Sequence, residues 1–166
     1  MIKACRDYLK TCLEQVGIKK VLTRAEEAAK HAVIPRGEIY FGESDLQKDG
    51  SLVARFDGPG DHERTYRRRT YQRTEQARVK IVHRDQDLAE KTRDDLIAAF
   101  ERRIDDGHGN AILITAWSGE PEEDSSLLRQ TGTTYIDLRF DGGIYRDRTV
   151  KLYDTATSLR LEGENK

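Results

Sequence analysis

Apolar side chains return at steps of three and four near the start of the chain: Ile2, Cys5, Leu9, Cys12, Leu13 and Val16. That spacing predicts an amphipathic helix over residues 2–16, stopped by Gly17. Thr23-Arg24-Ala25-Glu26 reads as a capping box, in which side-chain oxygens satisfy the free backbone donors of a first turn. A short second helix to Ala32 is expected, closed before Pro35. Residues 38–42 and 51–56 then read as strands on either side of Lys48-Asp49-Gly50, and Asp57-Gly58-Pro59-Gly60-Asp61 is the strongest turn signal. A long extended run follows over 62–83. Near its end Ala77, Val79 and Ile81 alternate with Arg78 and Lys80, the pattern of a half-buried strand. Towards its start both parities are polar: Arg67, Arg69 and Arg73 on one, Arg68, Thr70 and Gln72 on the other. One strand of about 20 residues would reach about 66 Å, whereas globular strands usually stop near 10 residues. The run is therefore expected to bend, bulge, or leave the core in a hairpin with 51–56. Polarity on both faces favours a projecting hairpin, because such a strand has no core to cover.

Asp85 or Asp87 opens a helix expected to reach Ile104, with Leu88, Thr92, Leu96, Ala99 and Phe100 on one side. Asp106-Gly107-His108-Gly109-Asn110 ends it. Ala111–Trp117 is nearly continuously apolar and suits the centre of a sheet under helices. Glu120–Asp124 forms an acidic loop. Ile136, Leu138 and Phe140 alternate with Asp137 and Arg139, and Asp141-Gly142-Gly143 is expected to turn the chain into a last strand ending near Tyr153. The fold class that follows is α+β: a mostly antiparallel β-sheet packed against two or three helices, with a projecting β-hairpin. Residues 1–153 read as a single domain and 154–166 as a flexible C-terminal tail.

Composition sharpens this picture. Hydrophobic and charged residues each make up 36% of the 166 residues. Leu, Ile, Val and Phe total 36 of them, just above the roughly 20% below which disorder becomes the default. The core is lean. The net charge of −1 argues against a uniformly basic nucleic-acid binder, yet it hides a segregation. Residues 64–84 carry eight Lys or Arg against Glu75 alone, giving +7 there and −8 elsewhere. No apolar run approaches a membrane span, and the start of the chain has no signal-peptide pattern. Cys5 and Cys12, seven helical residues and about 10.5 Å apart, are too distant to pair with each other. They are expected as buried free thiols.

Catalytic and metal patterns are missing. The glycines form no phosphate cradle, the four histidines are scattered, and neither a His-Glu-x-x-His, a paired-Cys motif nor a Gly-x-Ser-x-Gly elbow occurs. The expectation is a protein that is not an enzyme and needs no cofactor or metal. The arginine run, with Arg67, Arg68, Arg69 and Arg73 as its candidate site, has three readings. It could neutralise nucleic-acid phosphates, with Tyr66 and Tyr71 available for stacking. It could meet an acidic surface such as Glu120–Asp124 on another copy, since arginine forms planar pairs with carboxylates. Or it could be a solvated, charged edge that blocks unwanted strand pairing. Near-zero total charge favours the second, with a nucleic-acid-binding module on segment 64–84 as the alternative.

Three stretches together carry a resemblance: Val21-Leu22-Thr23-Arg24-Ala25-Glu26-Glu27-Ala28, a strand led by Pro35, and Val79-Lys80-Ile81-Val82-His83-Arg84-Asp85 running into Leu88-Ala89-Glu90-Lys91-Thr92-Arg93-Asp94-Asp95-Leu96. In this order they resemble the tail terminator, or tail-completion, proteins of bacteriophages and prophages. The resemblance implies a structural subunit of the virion tail, assembled in the bacterial host cytoplasm. It implies a ring homo-oligomer, a hexamer, that ends tail-tube polymerisation, with the tail tube protein and head connector proteins as partners. DNA would pass through such a ring, and no membrane is involved. The family has no catalytic residues to carry over. The long arginine run with its Gly-Pro-Gly turn departs from the family's usual central strands.

Overall fold

The computed structural model describes residues 1–23, 33–60, 62–120 and 132–152. Its elements are α1 (Ile2–Gln15), β1 (Lys20–Leu22), β2 (Arg36–Lys48), β3 (Leu52–Asp57), β4 (Glu63–His83), α2 (Gln86–Ala99), β5 (Arg103–Asp105), β6 (Ala111–Gly119) and β7 (Gly132–Lys151). Strand order is β1-β2-β4-β7-β6-β5, with β3 pairing β4 off this path. The β3·β4, β5·β6 and β6·β7 pairs are antiparallel and β1·β2 is parallel. The chain divides into two compact units: Met1–Leu46 with Arg73–Gly142, and Gln47–Gln72 with Gly143–Lys166. The expected helix to Ala32, most of the acidic loop and the C-terminal tail lie outside the described residues.

In the first unit, α1 buries the stripe Cys5, Leu9, Cys12 and Leu13. It ends as its sequence dictates. Gly17 takes φ +88°, a left-handed backbone that costs glycine no Cβ clash. This lets Gly17 N donate to Glu14 O and Ile18 N donate to Leu13 O, satisfying two orphan carbonyls of the last turn. Both cysteines are free and buried, and burial pushes the Cys5 thiol up to about 11. α2 starts where the sequence indicates, with Asp85 Oδ1 accepting from Leu88 N at 2.9 Å.

The end of α2 corrects the sequence expectation. The helix stops at Ala99 and Phe100 is extended, so Ile104 belongs to β5, opposite Ile112. The cause is a competing partner. Glu101 N donates to the Tyr8 hydroxyl at 2.6 Å, and the Tyr8 and Phe100 rings lie 6.3 Å apart. An apolar residue at position 104 satisfies helical spacing and strand burial equally, so periodicity alone could not separate the two.

β6 is also misplaced by sequence. Among the described residues only the three-residue β5 lies outside it, and its residues alternate, with Ile112 buried while Leu113 and Trp117 are 55% and 47% exposed. β7 holds a third correction. It runs unbroken through Asp141-Gly142-Gly143, where a turn was expected. The glycines serve close approach instead. A Cβ on Gly142 would meet Met1 Sδ at 2.6 Å, and one on Gly143 would meet Arg69 Cδ at 2.6 Å.

The core of the first unit joins α1 and α2 to one sheet face through Ile39, Val79, Ile81, Leu96, Ile112, Ile136, Leu138 and Phe140. A carboxylate is buried in the same unit. Glu38 accepts from Arg36 Nε at 2.8 Å and Tyr40 Oη at 2.5 Å, with Lys80 Nζ at 3.7 Å. Burial alone would raise its pKa; the hydrogen bonds and the two cations outweigh burial and hold it below the ordinary value. A carboxyl depressed in the folded state stabilises fully above its unfolded pKa of about 4.3, and that contribution is lost as pH falls through the lower folded value. Urea midpoints measured from pH 7 to 3 should therefore fall below about pH 4. Glu38→Gln should flatten part of that fall while costing roughly 2 kcal/mol at pH 7.

Candidate interaction surface

β4 is one uninterrupted strand of 21 residues. Its apolar end, Arg73–His83, lies in the first unit and its arginine-rich end, Glu63–Gln72, in the second. Strand length is limited by what neighbours can pair and cover, and here the polar end has pairing partners of its own. β3 runs antiparallel to it with Ala54 opposite Arg67, Arg55 opposite Tyr66 and Phe56 opposite Thr65. The register of this pair shifts once, between Leu52 and Ala54 of β3, while β4 itself stays continuous. At the β3–β4 turn, a Cβ on Gly58 would lie 2.4 Å from Glu63 Cβ, so this position requires glycine. β7 lies on the other side, with Thr65 Oγ1 and Thr149 Oγ1 2.9 Å apart and Arg67 on Asp147.

The four sequence candidates separate sharply. Arg67 makes a two-pronged pair with Asp147, both contacts at 2.8 Å, and its guanidinium lies 5.1 Å from the centre of the Phe56 ring. Arg67 holds the Asp147 carboxyl below its ordinary range. Arg69 Nε donates to Asp49 Oδ2 at 2.5 Å. Asp49 also accepts from the Ser51 hydroxyl and the Gly50 and Ser51 amides, and these donors lower its pKa. Arg73, in the first unit, donates to the buried Glu75 at 2.5 Å, and Glu75 accepts from Ser44 Oγ as well. Three of the four candidates thus hold carboxylates of their own chain. Arg68 is exposed and makes no ion pair among the described residues.

The physical reason is alternation. Residues directly opposite on an antiparallel pair share a face, and successive residues point to opposite faces. In the second unit, Phe56, Thr65, Arg67, Asp147 and Thr149 therefore occupy one face, where each arginine finds an acid. Arg68 points to the other. Of the two tyrosines proposed for stacking, Tyr66 shares the Arg68 face and lies under Arg55 at 5.8 Å. Tyr71, at odd parity, is on the opposite one and is exposed. The sequence divides the run by parity, Arg67, Arg69 and Arg73 on one side and Arg68 on the other, but does not show Asp147 and Asp49 as partners, since neither is near these arginines in the chain.

No described residue of the second unit is buried, although seven large apolar residues there, Phe56, Tyr71 and Ile144 among them, are exposed. In the first unit, an open groove of about 400 Å³ lies over the sheet, lined by residues that include Tyr40, Gln76, Arg78, Trp117 and Asp137. Arg78 is held by Asp137 at 2.7 and 3.0 Å, so it is not a free anion site. Among the described residues, no group of three or more His, Cys, Asp or Glu is placed to hold a metal ion, and no helix is long and apolar enough to cross a membrane. The chain matches no protein-family model, and no curated protein matches it.

Proposed function

We propose that this chain is a structural tail terminator of a bacteriophage or prophage, acting as a ring-forming subunit without enzymatic activity. One observation carries the reading: a whole unit of sheet, residues 47–72 with the described part of 143–152, buries none of its side chains while exposing seven large apolar ones, of which Phe56 and Tyr71 lie on the face of Arg67 and Asp147. Apolar surface on a sheet without a core is stabilised when a partner covers it. In this proposal the β3–β4 hairpin projects to a neighbouring subunit, and one patch meets a different patch on the next copy, an arrangement that closes into rings. The face with Phe56 suits that contact. Its arginines are already matched by Asp147 and Asp49, so covering them leaves no unpaired charge. The tail tube and head connector would dock on the finished ring, six-membered by the family resemblance, within the virion tail.

Native mass spectrometry and negative-stain electron microscopy of the purified chain, with and without tail tube protein, test this. Closed rings with an open channel are expected, and Phe56→Asp should abolish them. A monomer at high concentration in both conditions would sink the proposal.

A further inference from the structure

The second face of the same sheet is different in kind. Arg55 lies opposite Tyr66 on β3, and Arg64 and Arg68 flank Tyr66 on β4 at steps of two. Because Thr149 and Asp147 meet Thr65 and Arg67 on the first face, Arg146 and Arg148 of β7 fall on this second one. All five arginines are exposed, and Asp57, opposite Arg64, is the one carboxylate that the register puts beside them among the described residues. Leu52, opposite Arg68, and Ile144 and Val150 add exposed apolar surface between the charges.

We propose that this face binds single-stranded nucleic acid, with Arg55, Arg64, Arg68, Arg146 and Arg148 on its phosphates and bases packing on the interleaved apolar surface. Covering five unmatched guanidiniums with a protein requires about one well-placed carboxylate for each, since an unpaired buried charge is costly. A phosphate backbone supplies one negative charge per nucleotide without further design. Arg146 and Arg148 are two residues apart, roughly 6.6 Å, Arg64 and Arg68 four residues apart, roughly 13 Å, and neighbouring strands lie about 4.8 Å apart. The result is a two-dimensional positive field rather than a socket for one anion. The apolar share decides between strands. A duplex hides its bases and offers phosphate alone, whereas an open strand can lay bases on the exposed Leu52, Ile144 and Val150, with the Tyr66 ring already under the Arg55 guanidinium. This binding is independent of ring formation, because the two activities use opposite faces.

Fluorescence anisotropy of a labelled oligothymidylate of about 15 nucleotides, titrated with the full chain, tests the proposal. Five phosphate contacts should give a slope of log affinity against log salt of about −3.5, at roughly 0.7 per contact for a single strand. Replacing Arg68, Arg146 and Arg148 together by Gln should reduce the slope to about −1.4 and weaken binding at least ~10-fold at low salt. All three side chains are exposed, and circular dichroism will verify that the variant is folded. Arg67→Gln combined with Asp147→Asn, on the other face, should leave binding unchanged. Absence of binding at ~50 mM salt, or equal binding by the triple variant, overturns the proposal. Equal affinity for a duplex of the same length would overturn the single-strand assignment. Displacement by polyglutamate at matched charge would assign the face to an acidic protein instead. Sedimentation of the triple variant separates this from the ring: rings that persist while binding is lost are the expected result.

Discussion

Phe140→Ala is expected to cost about 3–5 kcal/mol of stability, the range for an aromatic removed from a packed core. Phe140 is fully buried at the centre of the first unit, with its ring 6.5 Å from that of Phe41. α1 contributes Leu9 and Leu13 to the same cluster, and β4 contributes Val79 and Ile81. Truncation would leave a cavity walled by helix and sheet together, and neither can move in alone because both belong to continuous elements. Urea unfolding followed by circular dichroism measures the effect, with Phe140→Leu as the reference. Leucine restores most of the volume and should cost less than about 1.5 kcal/mol. A loss below about 1 kcal/mol for alanine would mean that this cluster is not the core it is taken to be.

Gly132→Ala should be comparably severe for a different reason. A Cβ at that position would lie 1.8 Å from Asp85 O and 2.5 Å from Gln86 N, both backbone atoms at the start of α2. Nothing flexible stands there to yield. Either β7 shifts at its first residue or α2 loses its Asp85 cap, and a cost of about 4 kcal/mol or more is expected. Gly107→Ala is the comparison. Gly107 has φ +84° and nothing within 4 Å of a built Cβ, so only backbone strain opposes the change, at about 1 kcal/mol. Thermal unfolding of the two variants side by side checks the ranking. Equal shifts would show that the approach of Gly132 to α2 is not as close as described.

The elements with one dominant local signal were legible in sequence. α1 was readable to its last turn because Cys5, Leu9, Cys12 and Leu13 share one helical stripe and Gly17 follows. The start of α2 was readable because Asp85 precedes the apolar positions by the right interval. What failed was everything decided by a partner far away in the chain. The end of α2 depends on Tyr8, 93 residues from Glu101. At Gly142 and Gly143 of the unbroken β7, the side chains of Met1 and Arg69, far away in the chain, lie where a Cβ would stand. The candidate site follows the same rule. That the segment is basic was plain, but which arginines are already matched depends on Asp147, 80 residues from Arg67. Strand parity was visible in the sequence and divides Arg67 and Arg69 from Arg68. Which parity meets the acids required the register of β7.

The half-exposed Trp117 has one more consequence. It is the chain's single tryptophan and lines the open groove of the first unit beside Tyr40, Gln76 and the Arg78–Asp137 pair. Its indole sits on the sheet surface instead of inside the core, so its emission is set by whatever solvent or surface lies against that groove. The protein therefore carries an optical reporter at one defined place, needing no label and no mutation. Covering the groove would move the emission to shorter wavelength, while events elsewhere in the first unit's interior reach it only through the sheet.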